Sequence, residues 1–242
     1  MKKTWLFLLG FGLAAAGLAA PFDADTLKTP HGQIVLTFIG HGTLMMQFDT
    51  LVVHIDPVSA YADYQLLPQA DLVLITHAHG DHLDPKALAH VVSSHTTLVT
   101  APVCKPAVPE AILLENGQTR TLQGIEIEAV PAYNLLHLNK NQQPFHPRGE
   151  GNGYILRYDG ISIYVAGDTE NTPEMKALQG IDIAFLPMNL PYTMTPEMVA
   201  DAARAFRPRI LYPYHYGNTD VSRLTALLGP DDNLEIRIRN LK

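Results

Sequence analysis

The sequence predicts an α/β protein in which two β-rich layers carry helices on their outer sides, in one domain of two similar halves. Three observations point there. Short apolar runs bounded by Gly, Asp or Pro recur from Gln33 onward, which is a strand signal. Helical spacing appears only in isolated stretches between blocks of such runs. The 242 residues, 47% hydrophobic and 17% charged, are enough for a sizeable core and unlike a disordered chain.

Taken in order, residues 20–30 are polar and bounded by proline, and read as a linker. Ile34–Ile39, Leu44–Phe48, Leu51–Ile55 and Leu72–Ile75 follow as strands. Pro85–Val92 has helical spacing, with Asp84 as N-cap and proline at the first helical position. Thr97–Thr100 is a further buried strand, and Ile125–Val130 alternates until Pro131. Tyr154–Tyr158 and Ile161–Ala166 flank Asp159-Gly160, a two-residue hairpin turn with Gly where φ must be positive. Ile181–Leu186 is a strand, and Pro196–Phe206 is a helix capped by Thr195. Ile210–Pro213 and Leu234–Ile238 are the last strands, with helix Val221–Leu228 between them. No sequence repeat is visible.

The formal net charge is −7, with no run of Lys or Arg. Nucleic-acid binding needs a basic stripe that displaces counterions from phosphates, so that class is excluded. A single cysteine, Cys104, excludes an internal disulfide and multi-cysteine metal sites. Met1-Lys2-Lys3, the apolar stretch Trp5–Leu18 and the small-x-small Gly17-Leu18-Ala19 describe a signal peptide over residues 1–19, cut after Ala19. The expectation is an exported, periplasmic protein with no stable membrane span, its main domain covering residues 31–242. Loss of Lys2 and Lys3 would take the charge to −9. An uncleaved anchor is the alternative, although the apolar run is short for a bilayer.

The strand Leu72–Ile75 and Thr76 run directly into His77-Ala78-His79-Gly80-Asp81-His82. In extended backbone His77 and His79 project to one side and can chelate one metal. Gly80 permits a sharp turn, after which Asp81 and His82 can address a second. Imidazole with carboxylate suits zinc, iron or manganese and not a calcium-type oxygen cage. Four potential ligands in six residues at a strand end outweigh the bland reading of a surface histidine run.

The H-x-H-x-D-H motif after a strand resembles the metallo-β-lactamase superfamily, whose fold is a four-layer αββα sandwich with metals at one edge. Ile39-Gly40-His41-Gly42-Thr43 and Ile55-Asp56-Pro57 resemble turns of its lactonase-like branch, related to L-ascorbate-6-phosphate lactonase. Ala166-Gly167-Asp168-Thr169 is similar to the segment whose aspartate bridges both metals, and Pro213-Tyr214-His215-Tyr216 to that of the late histidine of the second site. The resemblance spans about residues 33–220. It implies His77 and His79 on the first metal, Asp81, His82 and His215 on the second, and Asp168 between them. It also implies that Asp81 orients the nucleophile and takes its proton. One position departs: Tyr133-Asn134 stands where the family has the first site's third histidine. The alternatives are Asn134, a weaker ligand than imidazole, or a histidine of the next loop, His137 or His146. His146 is favoured because it precedes Gly149 and Gly151-Asn152-Gly153, where backbone can fold back.

Two divalent metals, zinc first and manganese or iron as alternatives, would lower the pKa of bound water toward ~7 and support hydrolysis of an ester, lactone, amide or phosphodiester. The substrate expected is a small molecule or a lipid-derived one. His41 and Asp56 read as groups behind the ligands, with His41 also able to touch substrate. Tyr133–Asn152 is aperiodic and long, as functional lids are, so Tyr133, Asn134 and His146 are candidate substrate contacts too. Arg148 and Lys140 on that segment could meet an anion, and Tyr192 in Leu190–Met194 forms a second wall. His31, His54, His90 and His95 read as packed or surface histidines. A true β-lactamase is disfavoured because those enzymes use Cys or His in the place of Asp168. The competing classes are a mono- or di-iron oxidoreductase on the same fold, separable by metal analysis, and a non-catalytic metal-binding protein, separable by turnover.

Overall fold

A computed structural model describes residues 22–242. The signal-peptide expectation lies outside these residues. No helix among them is long and apolar enough to cross a membrane.

Two seven-stranded sheets face each other. The first runs in sequence order through β1 (Ala24–Lys28), β2 (Gln33–Gly40), β3 (Thr43–Phe48), β4 (Leu51–Ile55), β5 (Leu72–Ile75), β6 (Thr97–Thr100) and β7 (Ile112–Leu113). The second runs through β8 (Thr119–Leu122), β9 (Ile125–Ala132), β10 (Gly151–Tyr158), β11 (Ile161–Val165), β12 (Ile183–Pro187), β13 (Ile210–Tyr214) and β14 (Glu235–Ile236). Each sheet starts as an antiparallel meander and ends in parallel pairs, from β4 onward in the first and from β11 onward in the second. Parallel pairs need crossovers. These carry the helices α1 (Pro85–Val91), α2 (Pro173–Lys176), α3 (Pro196–Phe206) and α4 (Val221–Leu228).

Strand alternation builds three apolar layers. Ile34, Leu36 and Phe38 of β2 meet Ile163 and Val165 of β11 and Phe185 of β12 between the sheets. The opposite face of β5, Val73 and Ile75, packs on Ala87, Leu88 and Val91 of α1. On the other side, Ala184 and Leu186 pack on Val199, Ala203 and Phe206 of α3. Helix, sheet, sheet and helix therefore stack in that order, an α/β αββα sandwich. Strands buried on both faces are uniformly apolar, as Leu72–Ile75 shows. The Asp159-Gly160 turn has positive φ at both residues, as its hairpin requires.

Three departures have physical causes. Ala24–Lys28, inside the segment read as a linker, is a strand paired from Ala24↔Thr37 to Lys28↔Gln33. Only Leu27 of it is fully buried, so no alternation announces it. Its Asp25 is held across the sheets by Tyr212 at 2.5 Å and Arg239 at 2.8 Å, partners far away in sequence. Second, β9 continues through Pro131, opposite Asn152. Ala129 donates toward Gln118, so the nitrogen of Pro131 faces the same side, beyond the end of β8, where no donor is needed. Third, β7, β8 and α2 are too short or too polar to show periodicity.

Candidate metal centre

The ligand-bearing residues sit at the carboxyl ends of parallel strands and in the turns beside them, where α/β sheets characteristically place sites. Asp56 follows β4, His77–His82 follow β5, Asp168 follows β11 and His215 follows β13. His41 lies in the β2–β3 turn, and Asn134 and His146 lie between β9 and β10. Three of these residues, His41, Asp56 and His215, have left-handed φ of 54°, 46° and 47°. Such strain persists only where surrounding bonds hold it. His215 N donates to His41 O at 3.1 Å, and Asp56 N donates to Leu74 O at 3.0 Å.

Among the described residues, three groups place their ligand atoms within 4.8 Å of one another: His77, His79 and His146; His77, His82 and Asp168; and His41, Asp81 and His215. Asp168 lies between them. Its Oδ2 is 3.3 Å from His146 Nε2 and 3.4 Å from His215 Nε2, and its Oδ1 is 3.4 Å from His82 Nε2. Asp81 Oδ2 is 3.4 Å from His41 Nε2 and 3.6 Å from His215 Nε2, with 45% of its side chain exposed. The buried Nε2 atoms of His82, His146 and His215 and Oδ1 of Asp168 have no hydrogen-bond partner. Orphaned buried polar atoms cost about 1–3 kcal/mol each, and their convergence fits a cation that would satisfy them together. The donor set of imidazoles and carboxylates suits zinc-like metals.

The groups behind the ligands fix which nitrogen is free. Asp56, fully buried, accepts from His82 Nδ1 at 2.7 Å, Thr76 Oγ1 at 2.6 Å and Thr76 N at 2.8 Å. With its proton given to Asp56, the Thr76 hydroxyl accepts from His77 Nδ1 at 3.0 Å. One carboxylate thus engages Nδ1 of His82 directly and of His77 through the Thr76 hydroxyl, so that Nε2 of His82 faces Asp168 and Nε2 of His77 faces His79. His146 Nδ1 donates to Asn134 Oδ1 at 2.8 Å, and the amide orientation of Asn134 is fixed because its Nδ2 donates to Glu170 Oε1 and Tyr192 O.

Electrostatics follow from this crowding. Burial alone would raise the Asp168 carboxyl, but His215, His82, His146 and His77 outweigh it and hold Asp168 well below the usual range. Burial also opposes charge on His82, yet Asp168, Asp56 and Asp81 push its imidazole up to about 9. Burial, together with His82, holds His77 well below its ordinary value, so it is neutral as a ligand must be.

Of the two alternatives for the departure at residue 134, the structure brings His146 to His77 and His79, and turns the Asn134 oxygen toward His146. His137 bonds to Glu170. Tyr133 donates from its hydroxyl to Glu174 at 2.9 Å, and Arg148 pairs with Glu174 at 2.6 Å while lying over the Tyr133 ring. Tyr192 is 45% exposed with its ring against Phe145. Two features escaped the sequence reading. His41 shares a group with Asp81 and His215, which its turn motif hinted at. Glu170, fully buried, carries the aperiodic segment, and its only signal was a carboxylate two residues after Asp168. A cleft beside His77, His79 and His146 is walled by Val103, Phe145 and Pro147, with Glu150 at its edge.

A model of the β-lactamase superfamily domain matches residues 35–215. A UPF0173 metal-dependent hydrolase of Thermococcus kodakarensis is 32% identical over 197 residues, 76% of this chain and 84% of that protein. A crystal structure from Parabacteroides distasonis, assigned as a metal-dependent hydrolase, is 49% identical, covers 91% of this chain and all of that one, and superposes with a TM-score of 0.87. The metallo hydrolase Igni18 of Ignicoccus hospitalis shares the fold at 24% identity and a TM-score of 0.70, over 85% of this chain and 94% of its own. Family match, sandwich and ligand geometry agree: the chain belongs to the metallo-β-lactamase superfamily and is one of its metal-dependent hydrolases.

Proposed function

We propose that the protein binds two divalent metal ions, zinc first among them, and hydrolyses an uncharged carboxylic ester or lactone in the manner of the lactonase-like branch. The carrying observation is the convergence of orphaned His82, His146, His215 and Asp168 atoms at one edge of the sandwich. His77, His79 and His146, which stand together, would hold one ion. As the family resemblance implies, Asp81 would hold the other with His82 and His215, whose Nε2 atoms lie 4.0 and 3.6 Å from its Oδ2, with Asp168 between the two ions and His41 beside Asp81. When bound, such ions act as Lewis acids that polarise the carbonyl and acidify water.

The chain's own groups supply the rest. Asp81, the exposed carboxylate of the cluster, orients the attacking water and accepts its proton at Oδ2. Water adds to the carbonyl carbon, the C–O bond of the ester breaks, and the proton passes to the departing alkoxide. Val103, Phe145 and Pro147 hold the apolar flank of the substrate and exclude water. The cleft lining contains no Lys or Arg, and Arg148 is engaged by Glu174, which supports an uncharged ester over a phosphodiester. The apolar stretch behind Lys2 and Lys3 supports action on the exported side of a membrane.

Metal content by mass spectrometry, on protein purified without added metal, tests the centre. About two zinc ions per chain are expected, with metal and activity lost together in Asp168→Ala. Nitrophenyl esters and lactones should turn over faster than bis-nitrophenyl phosphate, and Asp81→Asn should lower kcat by about 10²–10⁴ with little change in KM. One iron per chain, or preference for the phosphodiester, would overturn this reading.

A further inference from the structure

Asn134 and His146 are twelve residues apart, and His146 reaches the centre only because the intervening segment closes on itself. Asn134 N donates to His146 O at 2.9 Å, and His146 N donates back to Asn134 Oδ1 at 2.8 Å. Inside the loop, Asn139 N donates to Gln143 O, and Leu138 pairs with Pro144. Leu135, Leu136 and Leu138 are 45%, 73% and 43% exposed, so the first half of this arm has no apolar anchor, and Phe145 against Tyr192 is the aromatic contact of the second.

What fastens it is Glu170. The carboxylate is fully buried and accepts from five donors of the arm: Asn134 Nδ2 at 3.1 Å, Leu135 N at 2.9 Å, Leu136 N at 2.8 Å, and His137 N and Nδ1, both at 2.7 Å. Successive backbone amides around a carboxylate form an anion nest, and bonds to a charged acceptor are the stronger class. Thr169 pins the residue before the arm, donating to Tyr133 O at 3.1 Å and accepting from Tyr133 N at 3.0 Å. The segment Asp168-Thr169-Glu170 therefore presents one carboxylate to the centre and, two residues later, another to the arm that completes it.

We infer that Glu170 is a positioning residue for the metal centre: acting through Asn134, it holds the arm so that His146 Nε2 stands 3.3 Å from Asp168 Oδ2, and without it the group of His77, His79 and His146 loses its third ligand. This rests on His146 being a ligand. Outer partners of metal ligands typically change affinity by about 10–100-fold, which sets the expected size of the effect.

The test is a mutant cycle read by zinc affinity, using the full chain stripped of metal and titrated with zinc against a chromophoric chelator. His146→Ala, Glu170→Gln and the double variant are compared with the wild-type chain. The expected result is a loss of about 10–100-fold at one of the two sites in either single variant, and no further loss from Glu170→Gln once His146 is Ala. Additive losses would show that Glu170 acts elsewhere and would overturn the inference. So would unchanged affinity in Glu170→Gln when His146→Ala is weakened. Unchanged affinity in His146→Ala would instead remove the ligand assignment itself, and the inference with it. Should Glu170→Gln fail to fold, Glu170→Asp takes its place, because the shorter side chain keeps the charge but withdraws the carboxylate from the arm's donors while leaving Asn134 and its bonds to His146 in the chain. The same non-additivity with His146→Ala is then required.

Discussion

At the residue scale, the centre shows how few side chains set the state of many. Asp56 touches none of the orphaned atoms, yet it holds His82 directly and His77 through the Thr76 hydroxyl. Replacing it by Asn keeps the shape but puts a donor or a weaker acceptor opposite His82 Nδ1. Asp56→Asn should weaken zinc binding by about 10–100-fold while leaving far-ultraviolet circular dichroism unchanged; unaltered affinity would show that the tautomers are fixed by the metal alone. Gly42 belongs to the same scale. A Cβ there would sit 2.7 Å from His82 Cε1 and 3.4 Å from His215 Cδ2, so the turn can pass between two site histidines only as glycine. The motif residues His77, His79, Asp81 and His82 were legible because one strand end delivers all four. His41, His146 and Glu170 were harder, because their partners lie on other elements.

At the element scale, the sequence speaks clearly where a local rule acts. Helix α3 begins at Pro196 because Thr195 accepts from Met198 N at 3.2 Å and the proline needs no amide partner. It ends at Phe206, with Arg207 in the left-handed region. Val199, Ala200, Ala203 and Phe206 form the stripe that meets the second sheet. Thr195→Ala should cost about 1 kcal/mol in denaturant unfolding, with the m-value unchanged, and a loss near zero would mean that packing alone holds the first turn. Strand β1 shows the converse. Asp25, Thr26 and Lys28 look like a linker, and the strand exists because β2 offers it an edge and Arg239 offers Asp25 a charge.

At the scale of the whole molecule, the two sheets repeat one plan, a meander followed by parallel crossovers, and their carboxyl-end edges meet at the site. The first half gives His41, Asp56 and His77–His82; the second gives His146, Asp168, Glu170 and His215. Folding is also coupled to pH through a buried histidine of the first sheet. His54 on β4 is fully buried, bonded at 3.0 Å to Pro68 O, and burial lowers its pKa to about 4. Between about 6.5 and about 4 the unfolded chain takes a proton that the folded one refuses, so this contribution is present above pH 6.5 and lost as pH falls, by about 1.4 kcal/mol per unit. Unfolding of the metal-free protein at pH 7 and pH 5 should show a shallower pH slope, by about one proton, in His54→Gln than in the wild-type chain. Equal slopes would place the acid sensitivity on other groups.

The sequence by itself determined the layers, since apolar alternation and capping are local properties, and it determined the H-x-H-x-D-H end of β5, since consecutive residues at a strand terminus need no tertiary partner to stand together. Tertiary structure alone decided which residue completes the first group. Both Asn134 and His146 stay open along the chain, with His146 favoured for the glycines that follow it, and the choice is made by Glu170 and Tyr192 O, which capture the Asn134 amide and leave its oxygen to orient the imidazole. Such a choice depends on distances across packed elements, which spacing along a chain does not encode.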